Sequence, residues 1–258
     1  MNGTGMDQDR FNISPAAGLL MLLGLLLLSG CATPSPPLAP AMRPVNQYVK
    51  PDVTYAIDVY DPLEGFNRGM YRFNFYFDKY LFLPVTTTYE TISPDFVEAG
   101  VSNFFANIRQ FYTLANCLLQ LKPECVGDTT GRILVNSTLG IGGLWDPATA
   151  LGIRRHKEDF GQTLGHYGVG NGAYLVLPVF GPSNLRDTAG LAVHAAAFAT
   201  ADPFKFGQNQ RLGMAYSATN AVDARHRVEF RYYETGSPFE YELVRLLYTK
   251  YRQLEIEK

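Results

Sequence analysis

Two stretches, 66–82 and 95–121, have helical period yet are apolar around most of their circumference. In the first, Phe66, Met70, Phe73 and Phe77 fall on one face, and Tyr71, Phe75 and Phe82 add aromatics elsewhere. A helix of that kind is either deeply buried or lies in lipid. In the second, Asn103, Asn107, Arg109, Gln110, Asn116 and Gln120 interrupt the apolar positions, which argues against a plain transmembrane span. The chain must therefore place helices that are too apolar for a soluble shell and too polar to cross a bilayer.

The rest of the body continues the helical reading. Pro84 stops the first helix or starts the next, Pro94 opens the second and Lys122-Pro123 ends it. An amphipathic segment runs from Gly131 to Leu144, and Trp145-Asp146-Pro147 turns into a short helix through Leu151. Tyr174–Val179 is a short apolar run of strand length; one such run cannot build a sheet, so the reading preferred over a strand is an apolar loop or half-helix. Ser183 or Asn184 caps an Ala-rich helix, and two further helices cover about 209–233 and 239–256, the last with Ser237 as N-cap and Pro238 at its first position. The expected class is all-α: a body over 60–235 and a C-terminal helix over 236–258.

Charged residues make up 18% of the 258 and aromatics 13%. Low charge with many aromatics fits a surface that meets something other than water, or equally a large core. The net charge is −2 and no long Lys/Arg run appears, which excludes nucleic-acid binding. The densest basic patch, Arg154 to Lys157, runs straight into Glu158 and Asp159 and reads as a solvated loop.

Residues 16–28 form an apolar run of signal-peptide length, followed by Leu28-Ser29-Gly30-Cys31. Small residues and then Cys directly after such a run resemble the bacterial lipobox. There the Cys thiol is acylated and the chain is cut before it. Residues 1–30 are thus expected to be a signal peptide and Cys31 the lipidation site. The Pro-rich segment 31–59 reads as an extended tether. The n-region is weakly charged, since Asp7 and Asp9 offset Arg10, and translation from Met6 is an alternative to Met1.

Catalytic signatures are missing. There is no G-x-S-x-G elbow, P-loop or H-E-x-x-H, and no metal or cofactor site is expected. His156, His166, His194 and His226 form no i, i+4 pair. With Cys31 acylated, Cys117 and Cys125 remain. An oxidising compartment invites a disulfide between them, whereas two helical Cys pointing apart would not bridge.

Several blocks match a known pattern. Asp61-Pro62-Leu63-Glu64-Gly65-Phe66-Asn67-Arg68 resembles the motif that opens the domain of the MlaA/VacJ family. Gly100-Val101-Ser102-Asn103-Phe104-Phe105-Ala106-Asn107, Gly131-Arg132, Asn136-Ser137-Thr138-Leu139-Gly140, Trp145-Asp146-Pro147 and Glu158 to Gly165 resemble its later blocks, in order over roughly 60–200. Departures are Leu121, where Gly is common, and the pair Cys117 and Cys125. The resemblance implies an outer-membrane lipoprotein on the periplasmic side and not an enzyme. It implies a ring of helices in the inner leaflet around an amphipathic channel. Mislocalised outer-membrane phospholipid would descend through it to a soluble periplasmic carrier, and a trimeric porin would hold the ring. A lipid-anchored hydrolase and a purely structural envelope lipoprotein are the competing classes. Within a channel, Gly168, Gly170 and Gly172 would serve as a hinge, with Phe73, Asn74 and Phe75 holding the gate shut.

Replacing Cys31 by Ser is expected to leave the precursor unprocessed and mislocalised. Palmitate labelling of Cys31→Ser at the wild-type level would contradict the assignment.

Overall fold

The computed structural model describes residues 59–258; the signal run, Cys31 and most of the tether lie outside the described residues. Helix α1 (Glu64–Phe77) passes without a break through a π-helical turn (Asp78–Phe82) into α2 (Leu83–Ile92). Pro84, expected as a boundary, therefore sits inside one long helical run. Proline lacks the N–H that would reach back one α-turn, and the wider π-turn just before it absorbs that defect.

Helix α3 (Asp95–Leu119) begins after Pro94, with Asp95 and Glu98 complementing its N-terminal dipole. It ends in a Schellman turn: Lys122 N–H donates to Cys117 O at 3.1 Å and Leu121 N–H to Leu118 O at 3.1 Å. Leu121 occupies the left-handed position of that turn at φ 55°, which explains why Gly is usual there. A disulfide between Cys117 and Cys125, Cα atoms 5.7 Å apart, straddles the same turn. The two departures from the family pattern thus sit at one corner. Helix α4 (Pro123–Thr138) then runs back along α3, starting earlier than the expected Gly131, and α5 (Pro147–Ala150) is capped by Asp146.

Helix α6 (Phe160–His166) carries a capping box between Asp159 and Gln162. The run at 174 is a strand, not a loop: β1 (Tyr174–Leu177) pairs antiparallel with β2 (Gly181–Asn184), with Tyr174 opposite Asn184 and Leu177 opposite Gly181. Asn184 caps α7 (Leu185–Ala201), accepting from Asp187 N–H at 2.8 Å. Helix α8 (Gln210–His226) stops well short of 233. Helix α9 (Glu240–Glu257) starts three residues beyond Ser237. The Glu240 carboxylate accepts from Thr235 Oγ1 at 2.6 Å and from the Tyr233 backbone, which tightens the turn before the helix.

The distribution of polarity is inverted. Among the described residues, 22 polar or charged side chains are buried against nine apolar ones. On α1 the buried residues are Asn67, Tyr71 and Asn74, while Phe66 and Phe73 face outward. At the seam between α3 and α4 Asn107 reaches Ser137, with Gln110 and Thr113 also buried on α3 and Thr129, Arg132 and Asn136 on α4; Asn116 and Gln120 bind Thr163 of α6 instead. Outside it lie exposed Phe111, Leu118, Leu134, Leu139, Leu144 and Trp145. No helix among the described residues is long and apolar enough to cross a membrane.

Buried polar groups cost several kcal/mol unless paired, so the seams are networks. Arg132 gives Nη2 to both Asp146 oxygens at 2.7 Å and Nη1 to Ile153 O at 2.7 Å. Burial alone would raise the Asp146 carboxyl. Hydrogen bonds from Thr149 and Asn136 and the Arg132 charge outweigh it and hold that carboxyl down at about 2. Arg252 on α9 ties together Asp159 at 2.8 Å and Asp187 at 2.7 Å, fastening α9 to the starts of α6 and α7. The cluster of buried apolar residues among the described ones is mostly aromatic: Tyr71, Tyr174, Val176 and Tyr241. Tyr71 and Tyr241 meet edge to face at 5.8 Å, and their hydroxyls donate to Glu240 and Asp61.

In such a body the usual ranking of substitutions reverses. Asn67→Ala is expected to destabilise by about 2–4 kcal/mol, since it strands two backbone groups of β1. Leu134→Ala, on the outward face, is expected to cost under about 1 kcal/mol. Thermal unfolding in mild detergent measures both, and the opposite order would contradict the inverted packing.

Candidate functional site

The outer edge of β1 is closed by a helix instead of a third strand. Asn67 Nδ2 donates to Tyr174 O at 2.9 Å, and its Oδ1 accepts from Val176 N–H at 2.8 Å. Seven residues on, Asn74 Nδ2 donates to Leu177 O at 2.9 Å, and its Oδ1 accepts from Val179 N–H at 2.7 Å. A side-chain amide offers the same donor and acceptor pair as a peptide. Two turns of α1 therefore supply two peptide mimics that hold the strand and its turn. Asn67 is in turn fixed by Asp61 at 2.7 Å, and Asp61 accepts from Arg245 at 3.0 Å.

Of the residues singled out in the sequence, Asn74 is the one on this clamp. Phe73 is exposed and stacks on Phe77 at 5.7 Å. Phe75 packs edge-on to Tyr233 at 4.9 Å. The glycine segment enters the hairpin directly. Gly168 at φ 85° and Gly172 at φ 67° occupy the left-handed region, and a side chain at Gly172 would press on Leu185 Cβ at 3.0 Å. Gly170 has open space where a Cβ would stand. The glycine segment leads into the Tyr174 end of the hairpin, where Asn67 binds, and Asn74 binds the turn at the other end. Asn67 and the Asp78–Arg225 pair were not anticipated. The seven-residue spacing of Asn67 and Asn74 on an aromatic helix was the signal for the first.

Beside the clamp lies a cavity of about 320 Å³ between the π-turn, the hairpin turn and α8. Its walls are mostly apolar, and Asn74, Asp78 and Arg225 stand among them. Arg225 Nη2 donates to Asp78 Oδ2 at 2.8 Å, and that hydrogen bond, ahead of the cost of burial, raises the Arg225 pKa. Tyr232, also lining the cavity, is pushed up to about 12 chiefly by burial.

A second polar surface lies where α3 meets α8. Arg109 Nη1 donates to the neutral Asn220 Oδ1 at 3.3 Å, and its Nη2 is buried with no hydrogen-bond partner among the described residues. Burial, with Arg227 next in weight, pulls the Arg109 pKa down. One turn away, Asp223 binds Ser102 and takes Arg227 Nη2 at 2.7 Å. No group of three or more His, Cys, Asp or Glu suited to a metal occurs among the described residues. His194 lies 3.9 Å from the Tyr112 ring centre, and burial lowers its pKa, as for a packed histidine.

The chain resembles several known proteins. It is 43% identical over 172 residues to an uncharacterised protein of Rickettsia felis, 67% of each chain. It is 40% identical over 134 residues to the Intermembrane phospholipid transport system lipoprotein MlaA of Escherichia coli (strain K12), 50% of this chain and 53% of that one. To the protein of the same name in Haemophilus influenzae it is 29% identical over 210 residues, 80% of this chain and 76% of the other. The chain spans about half the length of the Rickettsia prowazekii relative, at 52%, and of the E. coli one. A solved structure reported as "Structural basis for maintenance of bacterial outer membrane lipid asymmetry" superposes with a TM-score of 0.61 at 28% identity, covering 77% of this chain and all of that one. The family profile described as MlaA lipoprotein matches residues 59–255, and the chain belongs to that family.

Proposed function

We propose that this protein is an outer-membrane lipoprotein, anchored through Cys31 on the periplasmic side, that removes mislocalised phospholipid from the outer leaflet. It hands the lipid to a soluble periplasmic carrier and so maintains lipid asymmetry; it works by passage and not by catalysis. The observation that carries this reading is the inverted polarity. A body with apolar residues outward and amides and ion pairs inward matches hydrocarbon around it and a polar path within it. Helices also satisfy their own backbone, as a leaflet requires. The described helices fit a ring lying in the inner leaflet around a channel, and the exposed apolar faces fit contact with a trimeric porin. Support comes from the E. coli and H. influenzae relatives, which carry the name of a phospholipid transport lipoprotein.

The hairpin fits the part of a gate, with the glycine segment as hinge and Asn74 as latch. Deleting Asn74 and Phe75 turns the following residues by roughly 200° at 3.6 residues per turn. It also removes the latch to Leu177 and Val179 and carries Asp78 away from Arg225.

Outer-leaflet phospholipid, read by acylation of lipopolysaccharide in intact cells, tests the function. Loss of the protein is expected to raise it. Gly170→Leu, at a position with room for a side chain, is expected to raise it toward the level of the deletion strain while protein abundance stays normal. The Asn74–Phe75 deletion is expected to exceed the null and to do so dominantly, because an unlatched path leaks. Wild-type asymmetry in Gly170→Leu, or a plain null from the two-residue deletion, would contradict the gate. Unchanged asymmetry in the strain without the protein would contradict the function.

A further inference from the structure

The cavity beside Asn74 has a chemistry of its own. Six apolar side chains, Phe77, Phe82, Phe180, Ala224, Val228 and Phe230, make up much of its wall. The polar residues that reach it are already engaged. Asn74 is spent on the hairpin turn, and Arg225 is shared among Asp78, Val228 O at 2.6 Å and Phe230 O at 3.1 Å. Tyr232 adds one hydroxyl to the wall, and the two charged side chains there, Asp78 and Arg225, are paired with each other, so neither stands free for a phosphate or an ammonium group. At about 320 Å³ the cavity has room for roughly ten water-sized groups at about 30 Å³ each. Water gains little in an apolar space of that kind, and a hydrocarbon segment fills it favourably. Its rim is apolar and open: Phe180 is 71% exposed, and Val228 and Phe230 are exposed beside it. A chain leaving the leaflet along this rim would meet no polar barrier.

We propose that this cavity binds the end of one phospholipid acyl chain, holding it against the Asn74 latch while the headgroup stays outside. The inference rests on the lipid-transport reading and gives that reading a specific chain site. The bound chain lies between the helix that carries Asn74 and the hairpin turn that Asn74 holds, so occupancy bears directly on the latch.

The test uses the acylated full-length protein in phospholipid nanodiscs with two probes. One is phosphatidylcholine with a diazirine at the end of an acyl chain; the other carries the diazirine on the headgroup. The chain probe is expected to label the peptide covering residues 221–230, and the headgroup probe is not. Ala224 is exposed on the cavity wall, so Ala224→Phe fills the space without disturbing the helix. It is expected to cut that labelling about tenfold, the effect of leaving about two methylenes unburied. Labelling around outward-facing Leu134 should not change, and Ala224→Ser should label as wild type. Should Ala224→Phe fail to fold, Val228→Trp at the rim serves the same purpose. Equal labelling by the headgroup probe, or labelling of 221–230 that a filled cavity does not reduce, would overturn the chain site. Asymmetry measured in the same strains separates the two claims. Restored asymmetry without labelling removes the chain site alone, and labelling without any effect on asymmetry removes the transport reading alone.

Discussion

Most buried polar side chains of this body are paired with other groups of the body. The exposed faces of α1, α3 and α4 carry Phe66, Phe73, Phe111, Leu118, Leu134 and Leu139, so the apolar driving force that normally collapses a chain points outward. Cohesion falls to paired amides, carboxylates and guanidinium groups. Such pairs are strong in a low dielectric and costly when broken, so they specify one arrangement where apolar contacts would tolerate several. Arg132 with Asp146 sets the corner after α4, Arg252 with Asp159 and Asp187 sets the start of α6 and α7, and Arg245 with Asp61 sets the start of α1. The Arg252 and Arg245 pairs fasten segments far apart in sequence, which local helix propensity cannot do. The disulfide at the α3–α4 corner adds a covalent restraint where Leu121 takes a backbone conformation that favours glycine.

The β-hairpin is held by its core side and by its edge: Tyr174 and Val176 of β1 are buried in the aromatic cluster. Its two strands have four residues each, and two side chains of α1 hold its free edge. A two-stranded hairpin is marginal alone, so its position depends on that burial and on Asn67 and Asn74. Asn67 is backed by Asp61, Tyr241 and Arg245, whereas Asn74 holds the turn beside a cavity and next to a π-turn. π-turns are costly irregularities that recur at working sites, and this one places Asp78 where it meets Arg225.

The helical period of the chain was legible, and so was the choice it posed between burial and lipid. What periodicity could not convey was the direction of each face. The apolar stripe Phe66, Met70, Phe73 and Phe77 is prominent, so the eye takes it as the packed side, yet Asn67, Tyr71 and Asn74 are the residues that pack. Pairing partners more than a hundred positions away decide this, and a local pattern has no access to them. The hairpin was missed for a related reason. Its second strand, Gly181-Pro182-Ser183-Asn184, has little strand propensity and is held by its register and its surroundings. Ser237-Pro238 looked like a helix start because local capping chemistry allowed it; the Glu240 carboxylate instead binds the preceding turn and delays the helix. The glycine segment was legible as unusual backbone, and the bonds of Asn74 to the hairpin turn were not.

The claim on which the account depends is that the outward face meets hydrocarbon, and the chain carries one natural reporter of it. Trp145 is the single tryptophan and is 63% exposed, beside Leu144 in the turn between α4 and α5. Its fluorescence in the purified protein, reconstituted in bilayers, can be quenched by phospholipids brominated near the headgroup end of the acyl chain and by iodide in the water. The account predicts strong quenching by the brominated lipid and little by iodide. Efficient quenching by iodide with none from the brominated lipid would place this face in water and contradict the inverted body.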